Sequence, residues 1–254
     1  MLTTLQLLNF RAFRDHEIPF GSTSVLVGRN NAGKSTVVDA LRLISLVISR
    51  LGRLPFRQPP FEYNIPQRII GITPSTRDSE IEFATICHRY GDPPAIINVK
   101  FDTGYSIQIF VDTSGFVFGA VFDSEGYNFS SRAEARNLSI PTLSILPQVG
   151  PVLLSEKILD QQYVRKYMSS RLSPQHFRNQ LRLSRTNYRR FKEFAESSWP
   201  DLQIYEFQGA DGARGEELFL QIRDGGFVAE IGLMGHGLQT WLQTIWFLAR
   251  AEAN

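Results

Sequence analysis

The stretch Gly28-Arg29-Asn30-Asn31-Ala32-Gly33-Lys34-Ser35 decides the fold that this sequence predicts. It matches the spacing G-x-x-x-x-G-K-[ST] at every fixed position. Residues 23–27 before it are typical of a short buried strand, and residues 36–44 after it predict a helix with one apolar face. A strand, a glycine loop and a helix in this order aim backbone N–H groups and a helix N-terminus at an anion, which predicts a phosphate site. The alternative is a chance match, which the agreement of motif and context disfavours.

Each polar residue of this stretch has an expected role. Lys34 is expected to act on the β- and γ-phosphates of a nucleotide, Ser35 to bind Mg²⁺, and Thr36 to bond a nearer phosphate. Lys34 is therefore also a candidate catalytic residue. The nucleotide-binding residues predicted here are Gly28, Arg29, Asn30, Asn31, Ala32, Gly33, Lys34, Ser35 and Thr36.

The composition is that of an ordinary globular protein. The chain has 254 residues, of which 43% are hydrophobic and 20% charged, with a net charge of +2. Such a small charge does not identify an anionic partner. The single cysteine, Cys87, cannot form an internal disulfide, which favours a reducing compartment. No segment has the pattern of a leader or a membrane span, so we expect a cytoplasmic protein.

Strand patterns surround the glycine loop and its helix. Before the loop, residues 2–9 predict an edge strand and residues 17–20 a second strand. After the helix, alternating apolar residues and Gly-containing turns predict antiparallel strands at residues 81–85, 97–101, 105–109 and 117–121. A further buried strand is predicted at residues 142–146. The acidic group Asp123-Ser124-Glu125 is interpreted as a hairpin end, because Gly126 follows it as a turn residue.

The second half of the sequence predicts helices, then strands, then a final helix. Residues 151–199 are typical of helices, and strands follow at residues 202–207, 217–223 and 227–231, the last two joined by the hairpin signal Asp224-Gly225-Gly226. Glycines precede a final helix, which makes its N-terminus a second potential anion site. The apolar face of that helix consists of Leu238, Trp241, Leu242, Ile245, Trp246 and Ala249.

Basic residues cluster between Arg165 and Lys192. Neither Asp nor Glu occurs between Gln161 and Lys192. Such clustering could contact the phosphate backbone of DNA. A solvated helix face, or docking onto an acidic partner, explains the same residues equally well.

The beginning of the chain resembles the head domains of RecF, SMC and overcoming-lysogenization-defect (OLD) ATPases. The resemblance rests on Asn9, Phe10, Arg11 and Phe13 between two strands, followed by the glycine loop. It implies that Arg11 lies near the nucleotide or DNA; a surface arginine on a turn is the alternative. It also implies that Gln148, after the strand at residues 142–146, is a Q-loop residue that senses Mg²⁺ and the attacking water.

The start of the last helix also resembles this family. Met234-Gly235-His236-Gly237-Leu238-Gln239 is similar to the ABC signature motif, particularly in its OLD-type version. The resemblance implies that Gly235, His236, Gly237 and Gln239 approach the γ-phosphate held by an opposite subunit. The common signature has a serine where this chain has Gly235, so backbone N–H groups must serve instead. A plain helix start is the alternative.

The expected fold class is α/β: a truncated P-loop NTPase head of the ABC type, with an antiparallel β-meander in lobe I and a helical arm. The expected segments are lobe I at residues 1–150, a helical segment at 151–200, and strands with the signature helix at 201–254. The family would next supply a strand ending in two acidic residues, the Walker B region. We expect a C-terminal continuation or a partner chain to provide it, and hydrolysis by this chain alone to be weak.

The resemblance implies a homodimer that sandwiches ATP and Mg²⁺ between the glycine loop of one copy and the signature of the other. The resemblance also implies that closure of this dimer around ATP is coupled to work on DNA, in repair, nuclease control or phage defence. A nucleotide-responsive switch that binds a protein partner without turnover is the alternative. A small-molecule kinase or a GTPase is a third hypothesis, which the long antiparallel insertion and the lack of Asn-Lys-x-Asp disfavour.

Overall fold

The computed structural model describes residues 1–77, 79–168, 170–205 and 217–251. The chain divides into two compact units, Met1–Ile145 and Leu146–Asn254. The sequence-based boundaries at residues 150 and 200 stay predictions. In the described ranges, no helix combines the length and the apolar character needed to cross a membrane.

A five-stranded antiparallel sheet forms the frame of the first unit. Its spatial order is β2-β1-β3-β4-β5, so the last three strands form the predicted meander. The strands are β1 (Leu2–Phe10), β2 (Phe13–Pro19), β3 (Ala95–Phe101), β4 (Ser106–Val111) and β5 (Val117–Phe122). The prediction that β1 is an edge strand is wrong, because β1 pairs with β2 on one side and with β3 on the other.

One face of this sheet packs against the helix that follows the glycine loop. This helix, α1 (Lys34–Ile48), buries one apolar face, which includes Leu43 and Val47. On β5, a Cβ at Gly119 would lie 2.6 Å from Cγ1 of Val47, closer than side-chain atoms pack. Glycine at this position therefore allows α1 to approach the sheet. A short helix, α2 (Arg132–Arg136), follows the sheet and begins with a capping box between Ser131 and Glu134.

The prediction of a buried strand immediately before the glycine loop is wrong. Val25, Leu26 and Val27 are exposed at 79, 41 and 90%, and none of them belongs to a strand. A strand needs a neighbour that accepts and donates its backbone hydrogen bonds. Within the described residues, no segment pairs with residues 23–27.

Two further strand predictions are also wrong. Residues 81–85 and 142–146 form no ladder with any strand in the described part of the chain. In residues 142–146 exposed and partly buried side chains still alternate along the segment. None of the five residues is buried, so the prediction of a buried strand at residues 142–146 is wrong in both respects: an apolar run supplies neither burial nor a pairing partner.

The second unit consists of helices around two small sheets. The predicted helices between residues 151 and 199 are confirmed from residue 161 onward, whereas β6 before them was not predicted. The elements are β6 (Glu156–Lys157), α3 (Gln161–Tyr167), α4 (Phe177–Arg182), α5 (Arg185–Ser198), β7 (Leu202–Ile204), β8 (Glu217–Leu218), β9 (Gln221–Asp224), β10 (Phe227–Glu230) and α6 (His236–Ala251).

The strands of the second unit form two antiparallel sheets, β10-β9-β7 and β6-β8. The predicted hairpin is confirmed, since Asp224 pairs with Phe227 across Gly225 and Gly226. The predicted strand at residues 202–207 ends at Ile204, and its residues 206 and 207 lie outside the described residues. Buried aromatic side chains of α5 and α6 meet in the core, where the rings of Phe191 and Trp246 lie 5.9 Å apart, edge to face.

Candidate nucleotide-binding site

The segment at residues 28–35 consists of a loop that ends at Gly33 and of the first two residues of α1, and it leaves the N-terminus of that helix open. Gly33 is the N-cap residue and has φ 93°, a left-handed conformation that disfavours any side chain. No side chain caps the helix, and its first turn contains no acidic residue. The N–H groups of the first turn and the positive end of the helix dipole are therefore free to receive an anion.

Lys34 folds back over the loop that precedes it. Its Nζ donates hydrogen bonds to the carbonyl oxygens of Gly28 at 2.7 Å and Arg29 at 2.8 Å. The ammonium group is thus held over the loop by neutral carbonyl groups, without a carboxylate to neutralise it in the described residues. A phosphate is a stronger partner for this cation than a carbonyl group.

The other loop residues form an open, polar surface beside Lys34. Arg29, Asn30, Asn31 and Ala32 line a pocket that is open to solvent. Ser35 is exposed, and its hydroxyl group makes no hydrogen bond with any described residue. This hydroxyl is free to bind a ligand. By contrast, Thr36 is 8% exposed, so the structure places it largely inside the unit.

The β1–β2 hairpin packs against the loop through Phe13. A Cβ at Gly33 would lie 2.6 Å from Cζ of Phe13. Two requirements therefore apply to Gly33, because its φ angle and the aromatic ring both exclude a side chain. The hairpin was not predicted to touch the loop, and only the resemblance around Phe13 could have suggested it.

Replacing Gly33 by alanine is expected to cost more stability than a left-handed φ alone explains. The φ angle costs roughly 1–2 kcal/mol, and the clash with Phe13 adds about 1–3 kcal/mol. The matched control is Gly126→Ala, since Gly126 has φ 85° but a Cβ there would meet nothing within 4 Å. Denaturant unfolding of both variants measures the difference. Equal losses would contradict the packing of Phe13 on the loop.

Arg11 lies at the tip of the same hairpin and contacts α1. Its Nη2 lies 3.3 Å from Oδ2 of Asp39 and donates to the carbonyl oxygen of Glu82 at 3.1 Å. Its Nε is buried and has no hydrogen-bond partner among the described residues. The structure thus ties Arg11 to the helix that begins at the loop. Its contact with a nucleotide or with DNA stays a prediction.

Gln148 belongs to the second unit and lies outside any helix or strand. Its side chain is exposed and makes no hydrogen bond with the residues that the structure describes. Its predicted roles as a Mg²⁺ ligand and catalytic residue therefore stay predictions.

The second predicted anion site lies at the start of α6. The carbonyl oxygen of Gly235 accepts the first helical hydrogen bond, from Gln239 N at 3.1 Å. Gly235, His236 and Gly237 are all exposed. A Cβ at Gly235 or at Gly237 would meet nothing within 4 Å, and neither residue has a left-handed φ. The packing of the unit therefore does not require glycine at these positions.

Gln239 was predicted to bind the nucleotide, but its side chain is committed to the unit's own structure. It is 1% exposed. Its Oε1 accepts from Val152 N at 2.7 Å, and its Nε2 donates to the carbonyl oxygen of Met234 at 2.7 Å. The prediction is corrected accordingly: Gln239 fixes the segment before α6 by satisfying buried backbone groups. The sequence did contain a signal for this structural role, because Gln239 is a polar residue next to Leu238, which lies on the apolar face of the helix.

Arg178 lies in the basic segment between Arg165 and Lys192 but is not part of an exposed charged surface, so the interpretation of this residue as a DNA contact is wrong. It is fully buried and lies 3.3 Å from Oε2 of Glu156, while its Nε donates to Oε1 of Glu230 at 2.7 Å. Burial raises the pKa of Glu156, and the hydrogen bonds from α4 and the charge of Arg178 oppose that rise. Arg178 is therefore a structural residue, because its guanidinium cannot reach a nucleic acid.

An antiparallel sheet beside a helix that begins at a glycine loop is consistent with the ATPase class of α/β proteins. The chain belongs to the AAA ATPase domain family, whose family model matches residues 1–201. Membership of this family implies ATP binding.

A curated relative adds to this assignment. The chain is 43% identical over 44 residues to an OLD nuclease from Thermus scotoductus. This match covers 17% of the chain and 8% of the relative. Together the two findings support the OLD-like ATPase assignment that the motifs predicted.

Proposed function

We propose that the chain binds ATP with Mg²⁺ in the loop at residues 28–35. The observation that carries this proposal is the combination of an uncapped α1 N-terminus with a lysine whose ammonium is held by two neutral carbonyl groups. In the proposed complex Lys34 exchanges these carbonyls for phosphate oxygens. The free hydroxyl of Ser35 is the donor suited to Mg²⁺, which supplies charge neutralisation at the phosphates.

We propose further that two copies complete the site, with the start of α6 from one copy facing the nucleotide of the other. Support comes from Gly235 and Gly237, because the packing of the unit itself does not require glycine at either position. Glycine without a side chain allows a backbone to approach a ligand closely. The exposed backbone N–H groups there, together with His236, suit an anion. In the resulting ATPase, hydrolysis depends on this second copy.

The proposed work of this ATPase is on DNA, in repair, nuclease control or phage defence. The relative from Thermus scotoductus is itself named a nuclease. Of the basic residues between Arg165 and Lys192, the structure leaves five exposed, namely Arg165, Lys166, Arg171, Arg185 and Arg189. Exposed arginines on α3 and α5 suit contacts with a phosphate backbone.

Charge reversal on α5 is expected to weaken DNA binding. In the double variant Arg185→Glu/Arg189→Glu, affinity for duplex DNA should fall at least tenfold. The slope of log affinity against log salt concentration should decrease in magnitude by about two. Fluorescence anisotropy across a salt series measures both quantities. The matched control is Arg14→Glu/Arg53→Glu, which reverses two exposed charges in the first unit. Unchanged affinity and slope in the α5 variant would return these arginines to the role of a solvated helix face.

A further inference from the structure

Two aromatic rings stand together on β2, beside the loop at residues 28–35. The rings of Phe13 and His16 are stacked, with centroids 5.0 Å apart and an interplanar angle of 9°. The edge of the Phe13 ring points at Gly33, the residue that ends the loop. The pair therefore begins at the glycine loop and extends away from it along the hairpin.

The outer ring of this pair is available for a contact. His16 is exposed, and its ring nitrogens make no hydrogen bond or ion pair with the described residues. It is paired in register with Leu7, which is fully buried on the face that packs against α1. Paired residues project from the same face of a sheet, so His16 lies on the side of the sheet where α1 and its loop lie.

The position of the rings suits one part of a nucleotide. When phosphates occupy a loop that ends at Gly33, the rest of the nucleotide must leave the loop along a neighbouring surface. A flat, exposed ring with a second ring behind it is a stacking surface for a nucleobase. Phe13 is held by its contact with Gly33, so the surface is already in place before a ligand binds.

We propose that His16, supported by Phe13, is the residue on which the base of the bound nucleotide stacks. This inference rests on the proposed ATP site. Every base has an aromatic face, so a stacking contact strengthens binding without selecting strongly among bases. Because the stacking contact treats the two bases alike, ATP and GTP should bind with affinities within about tenfold of each other.

The test compares ATP with inorganic tripolyphosphate, which lacks a base. Isothermal titration calorimetry with the chain and Mg²⁺ measures both affinities in four forms: wild type, His16→Ala, His16→Phe and Glu17→Ala. His16→Ala should lose about tenfold in affinity for ATP and nothing for tripolyphosphate. His16→Phe should retain the affinity for ATP, since it keeps an aromatic face. Glu17→Ala, which changes the next exposed residue on β2, is the control and should bind both ligands as the wild type does.

The possible results separate the two proposals. An unchanged ATP affinity in His16→Ala overturns the stacking proposal while leaving the ATP site in place. Equal losses for ATP and tripolyphosphate overturn it as well, because they show that His16 only supports the loop through Phe13. If the wild type binds neither ligand, the proposed ATP site itself is wrong.

Discussion

Replacing Lys34 by alanine is expected to lower the affinity for ATP by at least tenfold. Among the described residues, the ammonium group is held by the carbonyl oxygens of Gly28 and Arg29 alone, at 2.7 and 2.8 Å, so it is ready to exchange them for phosphate. A hydrogen bond to a charged group contributes about 1.5–3 kcal/mol, which is roughly a ten- to 150-fold change in affinity. Calorimetric titration with ATP and Mg²⁺ measures the loss.

The control for this variant is Lys100→Ala, which removes an exposed positive charge from β3 of the same unit. It should bind ATP as the wild type does, because the general charge of the unit is not what holds the phosphates. The thermal stability of Lys34→Ala should stay close to that of the wild type, since Lys34 makes no buried contact. An ATP affinity equal in Lys34→Ala and in the wild type would contradict the proposed role of this loop.

The largest loss of stability is expected from Arg178→Ala. Arg178 is 0% exposed, and its guanidinium lies between Glu156, 3% exposed, and Glu230. Removing the arginine leaves a buried carboxylate without its positive partner, which typically costs about 3–5 kcal/mol. The free energies of unfolding of the wild type and the variant in denaturant measure this loss.

Two control variants test whether the loss of stability in Arg178→Ala comes from breaking the buried ion pair or simply from removing a positive charge. Arg189→Ala removes an exposed arginine of α5 and should change stability by no more than about 0.5 kcal/mol. Arg178→Met combined with Glu156→Gln removes both charges of one pair and should recover part of the loss, because less charge is left buried without a partner. A loss below about 1 kcal/mol in Arg178→Ala would contradict the buried network.

Local signals predicted much of the fold. The hairpin turn at Gly225 and Gly226 and the meander of β3, β4 and β5 follow from alternating apolar residues and turn residues that are adjacent in the sequence. The helix after Lys34 and the final helix follow from apolar residues at helical spacing. Each of these elements is specified within a short stretch, so the sequence alone was sufficient.

Properties that depend on distant partners could not be predicted in this way. Residues 23–27 have the composition of a strand, but the composition does not say whether a neighbouring strand is present. Arg178 looks like one cation among many, and only the fold places Glu156 and Glu230 beside it. Gln239 belongs to a motif that predicts a ligand contact, yet its side chain satisfies backbone groups of Val152 and Met234.

In the candidate site, too, the local motif could be predicted from the sequence and the contacts between distant residues could not. The loop at residues 28–35 was predicted from its own spacing, whereas the support that it receives from the β1–β2 hairpin was not. Phe13 covers Gly33 and Arg11 reaches Asp39, and both contacts bring together residues that are separated in the sequence. Asp39 was not a candidate in the sequence, because a single acidic residue inside a helix gives no signal.

The most direct test of the central claim is the amide spectrum of the chain during titration with ATP and Mg²⁺. If the loop holds the phosphates, the backbone N–H resonances of Gly33, Lys34 and Ser35 shift in a saturable way. If a second copy completes the site, those of Gly235 and Gly237 shift with the same midpoint. Resonances at residues 28–36 that stay unchanged at saturating ATP would contradict the account.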